Sequence, residues 1–121
     1  MALQKEIDEG HSGFILKCYY INHITTLIDC FVPSDLLSIR IKFPLFVSDN
    51  IIIIHKDRGY MYNIDGSSNI NTEEFHSIDS LSVYELKYII SFLLRKYRDF
   101  NSNEIELYLD KIVSRYNNVK G

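Results

Sequence analysis

Residues 51–64 read IIIIHKDRGYMYNI: an aliphatic run from Ile51, a polar break at Asp57-Arg58-Gly59, and a second run from Tyr60 to Ile64. Two β-prone runs joined by three residues, the third a glycine, predict a hairpin whose type I turn is followed by a left-handed residue. Pairing Lys56 with Tyr60 puts Ile52, Ile54, Tyr62 and Ile64 on one face. Ile51, Ile53, His55, Met61 and Asn63 then share the other face. Both faces are rather apolar, which predicts a strand pair covered on both sides. Asp65-Gly66-Ser67-Ser68 closes the hairpin, and residues 67–80 form a polar, acidic connection.

Upstream, Leu37-Ser38-Ile39-Arg40-Ile41-Lys42-Phe43 alternates cleanly. Leu37, Ile39, Ile41 and Phe43 should point inward and Ser38, Arg40 and Lys42 outward, with Pro44 ending the strand or marking an edge. Further upstream, residues 14–20 and 24–31 also show a period of two, around Ile21-Asn22-His23. As a hairpin they would place Phe14, Leu16, Cys18 and Tyr20 on the same side as Ile24, Thr26, Ile28 and Cys30. Cys18 would then sit opposite Thr26 and Cys30 opposite Phe14. The thiols read as small buried hydrophobes and not as a disulfide, which favours a reducing compartment.

Downstream the period changes to 3.6. Ser82-Val83-Tyr84-Glu85 has the form of a capping box, after which Val83, Leu86, Ile90, Leu93, Leu94 and Tyr97 share one helical face. Asn101 to Asn103 interrupts. A second helix follows with Ile105, Leu109, Ile112, Val113 and Tyr116 buried and Glu104, Asp110, Lys111 and Ser114 outside. Strands followed by helices predict an α+β fold, with an antiparallel sheet of four to five strands over residues 14–64. A two-helix hairpin, about 82–98 and 103–117, is expected to pack on it. That order argues against a doubly wound nucleotide-binding fold.

At 121 residues, 46% hydrophobic and 13% aromatic, the chain has enough apolar area for one core, so residues 1–121 are expected to form a single domain with 1–12 as a flexible tail. Met1 to Gly10 lacks the apolar segment of a secretory signal. The longest aliphatic run, Ile51 to Ile54, falls far short of the roughly 20 residues of a membrane span. The expectation is a cytoplasmic protein without membrane association. Ile-rich, Trp-free usage is that of an AT-rich gene, frequent in viruses, phages and mobile elements.

No metal, cofactor or catalytic set assembles from the sequence. His11, His23, His55 and His76 are scattered without the spacing of metal ligands on one element. His76 among Glu73, Glu74 and Asp79 reads as a solvated acidic loop. His55 with Asp57 and Arg58 is a minimal base-and-cation set for a small nuclease or hydrolase, but hairpin geometry explains the turn.

Two surfaces stand out. The first combines the hairpin residues Asp57, Arg58 and Tyr60 with the acidic residues Asp65, Glu73, Glu74 and Asp79, a candidate protein interface. The second is the polar arc of the first C-terminal helix, where Tyr84, Lys87, Tyr88, Ser91, Arg95 and Arg98 interleave rings and cations as a nucleic-acid face would. Residues 1–80 hold 6 Lys/Arg against 11 Asp/Glu, and residues 81–121 hold 7 against 5. The overall charge of −3 counts against non-specific nucleic-acid binding.

The leading expectation is therefore a small intracellular, non-enzymatic protein that occupies a basic protein partner. Such a partner would be a toxin, a nuclease or a host factor, met by an immunity protein, antitoxin or inhibitor. A nucleic-acid-binding regulatory module is the alternative, followed by a small hydrolase and by a subunit completing a larger assembly.

Overall fold

The computed structural model describes residues 5–42, 51–63 and 75–120. In chain order its elements are α1 (Lys5–Phe31), β1 (Ser38–Lys42), β2 (Ile51–His55), β3 (Gly59–Asn63), a 3-10 turn at Ile78–Ser80, α2 (Val83–Tyr97) and α3 (Ser102–Lys120). The three helices fall into one compact unit and Val32–Leu81 into another. The class is α+β, with three described strands where four to five were expected and three helices where two were expected.

The largest departure lies at residues 14–31. The expected hairpin is instead part of a single helix of 27 residues, about 40 Å long. Tyr20, Ile24, Leu27 and Ile28 are buried along it, spaced i, i+4, i+7, i+8 as one helical face requires. Tyr20, Ile24 and Ile28 also satisfy a period of two, so alternation alone could not separate helix from strand. Ile21-Asn22-His23 holds neither Gly nor Pro, and Asn22 alone is a weak turn signal that the continued helical face outweighs. Phe14, expected inside, is 62% exposed. Cys18 is half-buried and Cys30 exposed, both free. Twelve residues apart on one helix, they are separated by about 18 Å along its axis.

α2 begins as expected. Ser82 Oγ accepts from the Glu85 backbone N–H at 3.1 Å, and Glu85 Oε1 accepts from the Ser82 N–H at 2.8 Å. Leu86, Ile89, Ile90, Leu93 and Leu94 are buried along it. Each contributes about 1.5–3 kcal/mol relative to exposure. The helix ends at Tyr97 with Arg98 as its C-cap, and Asp99 follows with a left-handed φ of 59°, a conformation that a short polar side chain tolerates just past a helix end. A second capping box starts α3: Asn101 Oδ1 accepts from the Glu104 N–H at 2.9 Å and Glu104 Oε1 from the Asn101 N–H at 2.8 Å. α2 and α3 make fewer contacts with each other than either makes with α1, so α1 is the common packing partner of this unit. Ile105 and Ile112 are buried in α3, while Leu109, Val113 and Tyr116 are only partly covered.

The sheet unit is an antiparallel sheet in the order β1-β2-β3. Ile39 pairs with Ile54 and Ile41 with Ile52, and all four are buried. Arg40 and Lys42 point outward as alternation predicts. Leu37 does not follow the inward pattern: it precedes the strand and is 58% exposed. Phe43 and Pro44 lie outside the described residues. On the far side, Ile52 pairs with Tyr62, Ile53 with Met61, Ile54 with Tyr60 and His55 with Gly59. The faces are those expected, but the register is displaced by two residues from the Lys56–Tyr60 pairing. The turn therefore occupies Lys56-Asp57-Arg58.

Candidate functional site

The displaced register has a local cause. His55 Nδ1 accepts from the backbone N–H groups of Asp57 and Arg58, at 3.1 and 3.2 Å, closing the turn directly after β2. Accepting there leaves the ring proton on Nε2. Gly59 follows with φ 109°, and a Cβ at that position would run into the His76 carbonyl. The clash arises because residues 75–77 return along β3. The Tyr60 N–H donates to His76 O at 2.9 Å and the His76 N–H to Tyr60 O at 2.8 Å.

This return brings Phe75 to the hairpin tip. The Arg58 guanidinium lies 4.6 Å from the Phe75 ring centroid, and the His55 ring meets Phe75 edge-on at 5.5 Å. Asp57 and Arg58 are exposed. The tip is thus an exposed acid and base on a turn held by a histidine, with the base laid on an aromatic ring. Each exposed cation–π contact contributes about 0.5–1 kcal/mol.

The other expected interface residues are placed differently. Tyr60 is 6% exposed, with its hydroxyl 3.2 Å from Ser80 Oγ, so it shapes the sheet unit from inside. Asp79 is exposed in the 3-10 turn. Asp65, Glu73 and Glu74 lie outside the described residues. His76 is exposed, and its ring lies 5.4 Å from that of Tyr60. Among the described residues, no three His, Cys, Asp or Glu side chains gather as metal ligands would.

The residues of the expected nucleic-acid face do share one side of α2 and its C-cap, at i, i+3, i+4, i+7, i+11 and i+14. Tyr84, Lys87, Arg95 and Arg98 are exposed, with Tyr88 and Ser91 half-buried. Ser91 Oγ donates back to the Lys87 carbonyl. Arg98 is not a free cation, because its guanidinium lies 4.5 Å from the Phe31 ring centroid and 5.2 Å from that of Phe100.

Sequence reasoning missed a third place. A pocket of about 410 Å³ lies along α3, and His23 of α1 contributes to its wall. From α3, Tyr108, Lys111, Ile112 and Arg115 follow at i, i+3, i+4 and i+7, joined by Ser114 and Asn118. His23 Nδ1 and the Tyr108 hydroxyl share a 2.7 Å hydrogen bond, and their rings meet edge to face at 5.3 Å. Ile112 is buried beneath. Burial, and secondarily the positive charge of Arg115, holds the His23 imidazole below its ordinary value of 6.5. Burial raises the Tyr108 phenol, with Arg98 opposing.

Comparison with protein families, curated proteins and solved structures gave no match. What each place can do follows from its own chemistry. The spacing of Tyr108, Lys111 and Arg115 is visible in the sequence as one helical stripe. With residues 14–31 read as strands, however, no helix is available to set His23 beside it, although Lys111 and Ser114 are exposed as expected. Among the described residues, no helix is long and apolar enough to cross a membrane.

Proposed function

We propose that this chain is a non-enzymatic binding protein that occupies a protein partner, in the manner of an inhibitor, immunity protein or antitoxin, with the β2–β3 tip as its contact. The observation that carries this reading is preorganisation of the tip. Arg58 is stacked on Phe75, and its backbone N–H is held by His55, so little side-chain and loop entropy remains to be lost on docking. Arginine and aromatic side chains are also the groups that concentrate binding energy in interfaces.

The sheet unit carries 4 Lys/Arg and 7 Asp/Glu, a net −3, which would steer a basic partner toward the tip. The free thiols Cys18 and Cys30 suit a cytoplasmic setting.

The test is co-purification of the tagged chain from its native host at moderate salt, run in parallel with the double variant Asp57→Lys, Arg58→Glu. A stoichiometric protein retained by the parent and lost by the variant supports the reading. A partner held equally by both would sink it.

The α2 stripe favours a second reading, binding of single-stranded nucleic acid, since the exposed Tyr84, Lys87, Arg95 and Arg98 share one side of the helix with the half-buried Tyr88. Under that reading Arg95→Glu with Arg98→Glu abolishes retention of nucleic acid, and the tip variant leaves it intact.

A further inference from the structure

We infer that the pocket along α3 is a binding site for a small phosphorylated molecule, a function separate from partner occupancy by the hairpin tip. Lys111 and Arg115 are one helical turn apart, so both project toward the same side, and the pocket is lined by both. Among the described residues, no Asp or Glu lines the cavity. A pocket with two positive charges and no acid selects an anion, and two cations match a dianion such as a phosphate monoester.

Hydrogen-bonding groups complete the wall. Ser114 and Asn118 add neutral donors, and the planar arginine fork can give two parallel hydrogen bonds to two oxygens of a phosphate, which a point charge cannot. The buried Ile112 side chain and the rings of His23 and Tyr108 supply the less polar part. The volume of about 410 Å³ lies within the roughly 300–1,000 Å³ of small-molecule sites, which fits an organic phosphate and exceeds the need of a bare ion. The pocket is also built from helices, and the His23–Tyr108 hydrogen bond fixes one side of it before any ligand arrives.

The test is calorimetric titration of the full chain with ribose 5-phosphate and adenosine monophosphate, with adenosine and inorganic phosphate alongside. Saturable binding of at least one of the two organic phosphates is expected, adenosine should not bind, and inorganic phosphate should bind more weakly than the organic phosphate. Lys111→Ala and Arg115→Gln should each weaken binding by about tenfold or more, the loss of one charge-assisted contact. Both side chains are exposed, and unchanged circular dichroism confirms that the variants fold. Arg40→Gln, an exposed cation of β1, should bind as the parent does. Three results overturn the inference: no saturation by either organic phosphate, binding indifferent to Lys111 and Arg115, or binding of a single-stranded oligonucleotide alone.

Discussion

His23 Nδ1 lies 2.7 Å from the Tyr108 hydroxyl, a hydrogen bond between residues 85 positions apart that ties the middle of α1 to α3. Both partners are half-buried, and each ring presents an edge or a face to the other. A polar pair in that position orients the two helices more specifically than apolar contact alone, because its geometry is satisfied at only one rotation and height.

The same pair makes stability depend on pH. Burial and Arg115 hold His23 below 6.5 in the folded chain, so on acidification the unfolded chain takes up this proton first. The folded state then loses stability as pH falls through 6.5, and keeps losing it until the folded value is reached; above 6.5 this contribution is fully present. His23→Gln keeps a hydrogen-bonding side chain and removes the titration. The drop in urea midpoint between about pH 7.5 and pH 5.5 should be larger for the parent than for the variant. Equal drops would show that His23 does not contribute. At the alkaline end Tyr20 and Tyr108, both raised by burial, keep their protons in the folded chain past the ordinary value of 10. Stability is therefore lost as pH rises through their folded values.

Gly59 meets two constraints at once. Its φ of 109° is a conformation that L side chains rarely adopt, and the His76 carbonyl occupies the space a Cβ would need. Gly59→Ala should cost about 2 kcal/mol or more, since it combines backbone strain with displacement of residues 75–77. Amide chemical shifts of Phe75 and His76 should move along with the denaturation midpoint. A variant as stable as the parent would show that the return strand is not held by the Tyr60–His76 bridge.

Legibility followed the range over which each signal acts. α2 was readable because Ser82, Glu85 and the spacing of Leu86, Ile90, Leu93 and Leu94 agree within one segment. Asp57 and Arg58 were readable as an exposed turn for the same reason. Phe75 and His76 were not, because they reach the tip through backbone pairing with a strand more than a dozen residues earlier, and an irregular polar segment gives no periodic sign of doing so. α1 is ambiguous in the sequence because Tyr20, Ile24 and Ile28 fit both periods. The same ambiguity hides the pocket, since a hairpin over residues 14–31 puts His23 in a turn and away from Tyr108.

The two capping boxes offer a contrast of sign along the helices. Ser82→Ala and Asn101→Ala each remove an acceptor for a first-turn N–H and should each cost about 1 kcal/mol. Ser91→Ala removes a hydroxyl that bonds back to Lys87 O within a formed helix, where alanine is the better helix former. It should be neutral or stabilising by a few tenths of a kcal/mol. Denaturant unfolding at one pH measures all three. If Ser91→Ala proved as costly as the cap variants, its hydroxyl would have a role beyond the helix backbone.

Asn22 separates the helix from the hairpin that alternation suggests for residues 14–31. It is exposed in the middle of α1, so substitution there acts through the backbone with little effect on packing. In a helix, alanine is favoured over asparagine by about half a kcal/mol and glycine is disfavoured by up to about 0.5, while proline costs about 3 kcal/mol. At the centre of a tight turn the order reverses, with glycine and asparagine favoured over alanine. Asn22→Ala should therefore raise the denaturation midpoint, Asn22→Gly lower it slightly, and Asn22→Pro lower it steeply with loss of helical circular dichroism. Glycine stabilising and alanine destabilising would mean that the chain turns at Ile21-Asn22-His23 after all. It would also remove the helix that brings His23 to Tyr108, so the same three variants bear on the α3 pocket.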